Sequence, residues 1–149
     1  MKIIEGLQSG AVLQRDQRHF CRVRFKAEFK GEPKASLGKI EHLKDDLWIF
    51  SGLFIGGPYD VTISDDESEE TLTELYVGDL WILAGQSNIE GMGRNTADEL
   101  TAAANPNPIV RSYRHDKKWV PAVPITHPIS LSDDPYIKNS GIPQLKPVL

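Results

Sequence analysis

Val77-Gly78-Asp79-Leu80-Trp81-Ile82-Leu83-Ala84-Gly85-Gln86-Ser87-Asn88 is the stretch on which the reading of this 149-residue chain turns. Leu80 to Ala84 is apolar without alternation. A strand buried on both faces reads that way, as in the central parallel sheet of an α/β domain. The stretch then delivers a serine at the strand's C-terminal end, where α/β sheets place their ligand sites. Gly85 permits a sharp turn there. The backbone N–H of Ser87 can point at a developing oxyanion. The stretch therefore predicts the opening of an α/β domain, with Ser87 as candidate nucleophile.

Upstream, the pattern is different. Residues 19–27 run His-Phe-Cys-Arg-Val-Arg-Phe-Lys-Ala, with Cys21, Val23, Phe25 and Ala27 on one face and Arg22, Arg24 and Lys26 on the other. Phe20 is the exception. Tyr59, Val61 and Ile63 alternate with Asp60, Thr62 and Ser64. Period-two alternation means a strand with one wet face, as in an antiparallel sandwich. Leu47 to Phe50 reads as another strand. Turn signals separate these runs at Gly31-Glu32-Pro33, Gly56-Gly57-Pro58 and the acidic Asp65 to Glu70. The acidic run lacks the spaced ligands and glycine of a calcium loop and reads as a solvated hairpin loop. The expectation is a β-sandwich over residues 1–75, followed by the start of an α/β domain over 76–149.

Downstream, Thr96–Ala104 reads as a short helix, with Thr96 as cap and Glu99 three residues on. Ile109 to Tyr113 reads as a second buried strand. Eight of the ten prolines lie at or after Pro106, so few regular elements are expected there. Pro121 to Leu149 has no clear period. A loop that long counts against a complete domain.

Composition narrows the function classes. The net charge of -4 leaves no electrostatic footprint for a nucleic-acid partner. The cluster from Arg111 to Trp119 contains Asp116 and reads as a mixed surface or ligand-proximal loop. No apolar stretch approaches the ~20 residues of a membrane-spanning helix. No secretory signal is visible at the start, which makes the cytoplasm the default expectation. Cys21 is the only cysteine, so no intrachain disulfide or cysteine zinc cluster can form. Its place in an alternating run makes it a buried thiol.

The serine block is not the nucleophile elbow of α/β-hydrolases, because Ile89 stands where that motif needs glycine. VGDLWILAGQSNIEG instead resembles the VGEVWLCSGQSNMEG-type segment of the sialate O-acetylesterase family, within the SGNH hydrolases. Ala11-Val12-Leu13-Gln14-Arg15-Asp16 is similar to the family's MVLQRD segment. Gly56-Gly57-Pro58-Tyr59 is similar to its AGGPY turn. Tyr113-Arg114-His115-Asp116 with Trp119 sits where the family has a comparable stretch. The resemblance runs through most of the chain in the family's order. It implies a carbohydrate O-acetylesterase with Ser87 as nucleophile and its N–H as oxyanion donor. Gly85, Gln86 and Asn88 would support the turn or line the pocket. Ile89 replaces the usual methionine, a swap that conserves bulk. No metal or cofactor is implied, and an acetylated carbohydrate is the expected partner.

The base is missing from this pattern. SGNH enzymes carry an Asp and a His in a D-x-x-H block near the C-terminus, and two more oxyanion donors in intermediate blocks. None has a counterpart after Ser87. The chain thus reads as an incomplete N-terminal part, inactive alone. Asp16-Gln17-Arg18-His19 matches D-x-x-H at the wrong end of the chain and is set aside as a catalytic pair. His42, expected in a sandwich loop, His115 and His127 read as exposed or hydrogen-bonded histidines. Among the tryptophans, Trp81 is expected in the core, and Trp119, expected in a loop, is the best candidate for a substrate platform. The competing function is a non-catalytic sandwich that binds glycan or supports assembly.

Overall fold

The computed structural model describes residues 1–84, 107–114 and 116–122. They form ten strands and, among the described residues, no helix. The chain divides into two compact units, Met1–Leu80 and Trp81–Leu149.

The first unit is a β-sandwich. One sheet contains β1 (Lys2–Glu5), β3 (Phe20–Glu28), β5 (Lys39–Lys44) and β6 (Leu47–Phe54), in the order β1-β3-β6-β5. The other contains β2 (Val12–Gln14), β4 (Lys34–Ala35), β7 (Gly56–Ser64) and β8 (Glu69–Gly78), in the order β2-β8-β7-β4. Alternation decides which side chains meet between them. In β3, Cys21, Phe25 and Ala27 are buried, while Arg22, Arg24 and Lys26 are exposed. Val61 and Ile63 of β7 are fully buried, as are Phe50 of β6 and Leu75 of β8. Leu13, Leu72 and Val77 complete the second sheet's contribution to the core. Phe20, the exception to the alternation, is exposed and stacks edge-on against Phe54 at 5.2 Å.

Three features depart from simple alternation. Leu72 and Leu75 are both buried although three residues apart. A register irregularity between Tyr59 and Val61 absorbs the mismatch. Opposite it, Glu74 adopts φ 54° and donates its N–H to Asp60 Oδ1 at 3.0 Å. Gly56-Gly57-Pro58 is not a free turn: it forms the start of β7, with a cis Gly57–Pro58 bond, where the chain passes from one sheet to the other. The sandwich is also not wholly antiparallel. β2 runs parallel to β8, pairing Val12 with Tyr76, Leu13 with Val77 and Gln14 with Gly78.

The acidic hairpin joins β7 to β8 and is shorter than expected, because Glu69 and Glu70 already belong to β8. Asp66, Glu67 and Ser68 are exposed, as a solvated loop requires. Asp65 is enclosed instead. Its carboxylate accepts the N–H groups of Lys30 (2.8 Å), Glu67 (3.0 Å) and Ser68 (2.9 Å), and the Met1 ammonium lies 3.0 Å away. These donors, the Lys30 amide foremost, hold the carboxyl well below the usual carboxylate range.

In the second unit, β9 (Arg111–Tyr113) and β10 (Trp119–Pro121) form an antiparallel hairpin. Ile109 and Val110 are more than half exposed, so this is not the buried strand expected over Ile109–Tyr113. Among the described residues β9 pairs with β10 alone. Leu80 to Ala84 likewise carries no strand, and Trp81, Ile82 and Leu83 are 84%, 94% and 76% exposed. Trp81 is therefore not a core residue here. A strand apolar on both faces needs neighbours on both edges. No described strand supplies one, so the run exposes its apolar surface. The expected helix over Thr96–Ala104 lies outside the described residues, as does the stretch after Ala122.

Candidate functional site

Gly85, Gln86, Ser87 and Asn88 lie outside the described residues. The path that leads to them is described as far as Ala84, and its anchoring is specific. The parallel β2–β8 ladder continues one step beyond Gln14, with Arg15 N donating to Gly78 O at 2.9 Å. The Gln14 side chain then takes over the role of a strand. Its Oε1 accepts the Leu80 N–H at 2.8 Å, and its Nε2 donates to Arg15 O at 2.9 Å. The Arg15 guanidinium closes the arrangement on Asp79: Nη2 donates to Oδ2 at 3.1 Å, and Nε lies 3.0 Å from Oδ1 as an ion-pair contact without hydrogen-bond geometry.

The Arg15 and Asp79 side chains are 28% and 45% exposed. An ion pair that wet is worth only about 0–1 kcal/mol. Its main consequence is geometric: it defines where the backbone stands as it leaves β8.

The glycine pair approaches the same strand from its other edge. Gly56 pairs with Val77, and Tyr59 with Leu75. A Cβ on Gly57 would lie 2.6 Å from Leu75 O, so only glycine permits this approach. Tyr59 Oη donates to Phe54 O at 3.2 Å across the crossover. The segments Ala11–Asp16, Gly56–Tyr59 and Val77–Leu80, far apart in sequence, thus converge on one strand end. Their sequence likeness had pointed to each separately, and only the strand pairing joins them.

Asp16 and His19 do not form a catalytic pair. The Asp16 carboxylate accepts the N–H groups of Arg18 (2.8 Å) and Phe20 (3.0 Å), and so shapes the turn into β3. His19 Nδ1 lies 3.3 Å from Arg15 Nη1, which can only donate. His42 lies in β5 rather than in a loop, with its ring 4.5 Å from that of Trp48 and its Nε2 3.0 Å from Asp45 O. His115 and His127 lie outside the described residues. Cys21 is buried, and burial pushes its thiol up, away from the reactive thiolate.

Trp119 opens β10, not a loop, and stands directly opposite Tyr113 of β9. The rings are 5.3 Å apart and tilted by 51°. Trp119 is half-buried and Tyr113 half-exposed, so the pair offers aromatic surface to solvent. Nothing local in the sequence marks Tyr113 as the cross-strand partner of Trp119. Lys117 N donates to Arg114 O and Arg114 N to Lys118 O, both at 2.9 Å, and these bonds hold the hairpin end in place. Among the described residues, no helix is long and apolar enough to cross a membrane.

Comparison with known proteins bears on the same segments. Residues 77–142 match the family model described as carbohydrate esterase, sialic acid-specific acetylesterase. No curated protein matches the chain. Its fold is similar to the crystal structure of a carbohydrate acetylesterase from Xanthomonas citri, with a TM-score of 0.52 and 24% identity. The match covers 79% of this chain and 31% of that one, so the chain spans about a third of the length of the structure it resembles. From the strand end at Val77 through the Tyr113–Trp119 hairpin, the chain resembles the carbohydrate esterases of the sialic acid-specific acetylesterase family.

Proposed function

We propose that this chain is the N-terminal part of a carbohydrate O-acetylesterase that works through a Ser87 acyl-enzyme. The observation that carries this reading is the family match over residues 77–142, which contains Gly85-Gln86-Ser87-Asn88 a few residues beyond the anchored Leu80. In the proposed reaction Ser87 Oγ attacks the acetyl carbonyl carbon while a base takes its proton. The Ser87 N–H stabilises the tetrahedral oxyanion, with Gly85, Gln86 and Asn88 shaping the turn and pocket. The C–O bond to the sugar breaks, and the protonated base returns its proton to the departing sugar oxygen. Water then cleaves the acetyl-serine ester, releasing acetate and restoring the serine. The base and its orienting carboxylate belong, on this reading, to a D-x-x-H block beyond Leu149. The 149-residue chain by itself is accordingly inactive. No step calls for a metal or cofactor. The Trp119–Tyr113 pair is proposed as the apolar platform for a sugar ring.

The test is aryl-acetate release by the longest gene product that carries this chain, with and without Ser87→Ala. Loss of the nucleophile should cost on the order of 10³-fold or more in kcat. Equal rates would sink the esterase reading. Serine-dependent turnover by the 149-residue chain alone would contradict the proposed division of the catalytic machinery.

A further inference from the structure

The outer face of the β1-β3-β6-β5 sheet carries side chains that the sandwich core does not use. On β3, Phe20, Arg22 and Arg24 follow one another at two-residue steps, and all are exposed. On the neighbouring β6, Phe54 stands opposite Phe20, and Ser51 opposite Arg22. Lys39 of β5 stands opposite Ser51 from the other side. One row across the sheet is therefore cation, hydroxyl, cation. The row beside it is an aromatic pair, Phe20 and Phe54, 42% and 49% exposed. Alternate residues of a strand lie about 6.8 Å apart, so one bound sugar ring spans both rows.

The charge of the first row is not balanced within the sheet. Among the described residues, neither the Arg22 nor the Lys39 side chain makes a hydrogen bond or an ion pair. Glu41 stands one row further on and faces Arg24 across Ile49. Two uncompensated cations on either side of a hydroxyl favour an anion. A lipid surface would need apolar groups that reach into it. Phe20 and Phe54 lie on strand backbone and pack edge-on at 5.2 Å, which makes them a platform and not a wedge. In a uronic acid the carboxylate lies close to the mean plane of the ring. A ring face against the phenylalanines therefore leaves the carboxylate directed at the neighbouring row.

We propose that this sheet face binds a uronic-acid polysaccharide, with a sugar ring on Phe20 and Phe54 and its carboxylate between Arg22 and Lys39. Ser51 donates its hydroxyl proton to the same carboxylate. The choice of a sugar rests on the carbohydrate-esterase reading, but the binding itself needs no catalytic step.

The experiment measures binding of polygalacturonate and of its methyl ester, which removes the charge and keeps the ring, to the 149-residue chain. Wild type should prefer polygalacturonate by about tenfold or more, as expected for contacts to a charged group. That preference should shrink as salt is raised. Arg22→Gln/Lys39→Gln should abolish the preference and leave binding of the methyl ester unchanged. Phe54→Ala should weaken both ligands about two- to tenfold. Lys34→Gln, on the exposed β4 strand of the other sheet, serves as control and should bind like wild type. Urea midpoints of the glutamine variants should match wild type, because the replaced groups are exposed and keep their apolar stems. Equal affinity of wild type for the two polymers would overturn the proposal. So would an unaltered Arg22→Gln/Lys39→Gln variant, or an equal loss in Lys34→Gln. Binding to phosphatidylserine vesicles without binding to polygalacturonate would assign the face to a membrane and overturn it as well. Ser87-dependent turnover of the longer gene product without polygalacturonate binding defeats this face alone. Polygalacturonate binding without such turnover upholds the face and defeats the esterase reading.

Discussion

Adjacent glycines at the start of β7 offer a matched pair of substitutions that tests how closely the crossover packs on the strand leading to Ser87. Gly56 and Gly57 have nearly the same φ, +131° and +127°. An alanine at either position incurs backbone strain of about 1–3 kcal/mol. A loss of unfolded-state entropy offsets about 0.4–1 kcal/mol of it. The two positions differ in space. The nearest atom to a Cβ at Gly56 is Tyr59 Oη at 3.7 Å, an ordinary contact. At Gly57 the nearest atoms are Leu75 O at 2.6 Å and Tyr76 Cδ1 at 3.0 Å. The carbonyl belongs to β8, which is paired on both edges and cannot yield without breaking its ladder. Forcing an extra methyl into such a space costs about 1–3 kcal/mol more. Gly57→Ala should therefore unfold more easily than Gly56→Ala by roughly 1–3 kcal/mol, a midpoint difference on the order of 1 M urea for a small protein. Urea titration followed by far-UV circular dichroism reads both variants against wild type. Equal midpoints for the two variants would refute the close approach of Gly57 to β8, since strain alone does not separate them.

Two further outcomes follow from the same structure. The Asp65 carboxyl has a folded pKa below its ordinary value of 3.8, so its stabilising contribution is present above that value and is lost as the pH falls further. Asp65→Asn should lower the midpoint at neutral pH and flatten the acid limb of a pH–stability curve below about pH 4; an acid limb as steep as that of wild type would count against the amide cradle. If the Trp119–Tyr113 pair is a sugar platform, Trp119→Ala should raise KM for an acetylated saccharide about two- to tenfold, corresponding to an aromatic contact of about 0.5–1.5 kcal/mol, with kcat little changed. An unchanged saccharide KM would remove Trp119 from the site.

Much of the first unit was legible because alternation is a local signal. Cys21, Phe25, Ala27, Val61 and Ile63 declare their face within their own strands, and each is buried. The β8 strand was harder to see. Its bulge puts Leu72 and Leu75 on one side and breaks the period that a linear reading relies on. Gly56-Gly57-Pro58 has the composition of a turn, yet it is strand backbone, because the requirement for glycine comes from a carbonyl of β8 and not from its own neighbours. Trp119 and Tyr113 illustrate the same limit in the second unit, where a cross-strand register pairs two residues that show no relation in sequence.

What the linear order of residues determined by itself was the sandwich-forming alternation, the buried cysteine and the family likeness of the serine block. Each depends on neighbours a few positions away. Which segments meet at the end of β8 was decided only by the tertiary structure. The join of Gln14 and Arg15 to Gly78, Asp79 and Leu80 spans more than sixty positions and depends on β2 lying parallel to β8. Whether an apolar run such as Leu80–Leu83 is covered is also a tertiary matter. Its hydrophobicity states a need for neighbouring strands, and only the assembled sheets show whether that need is met.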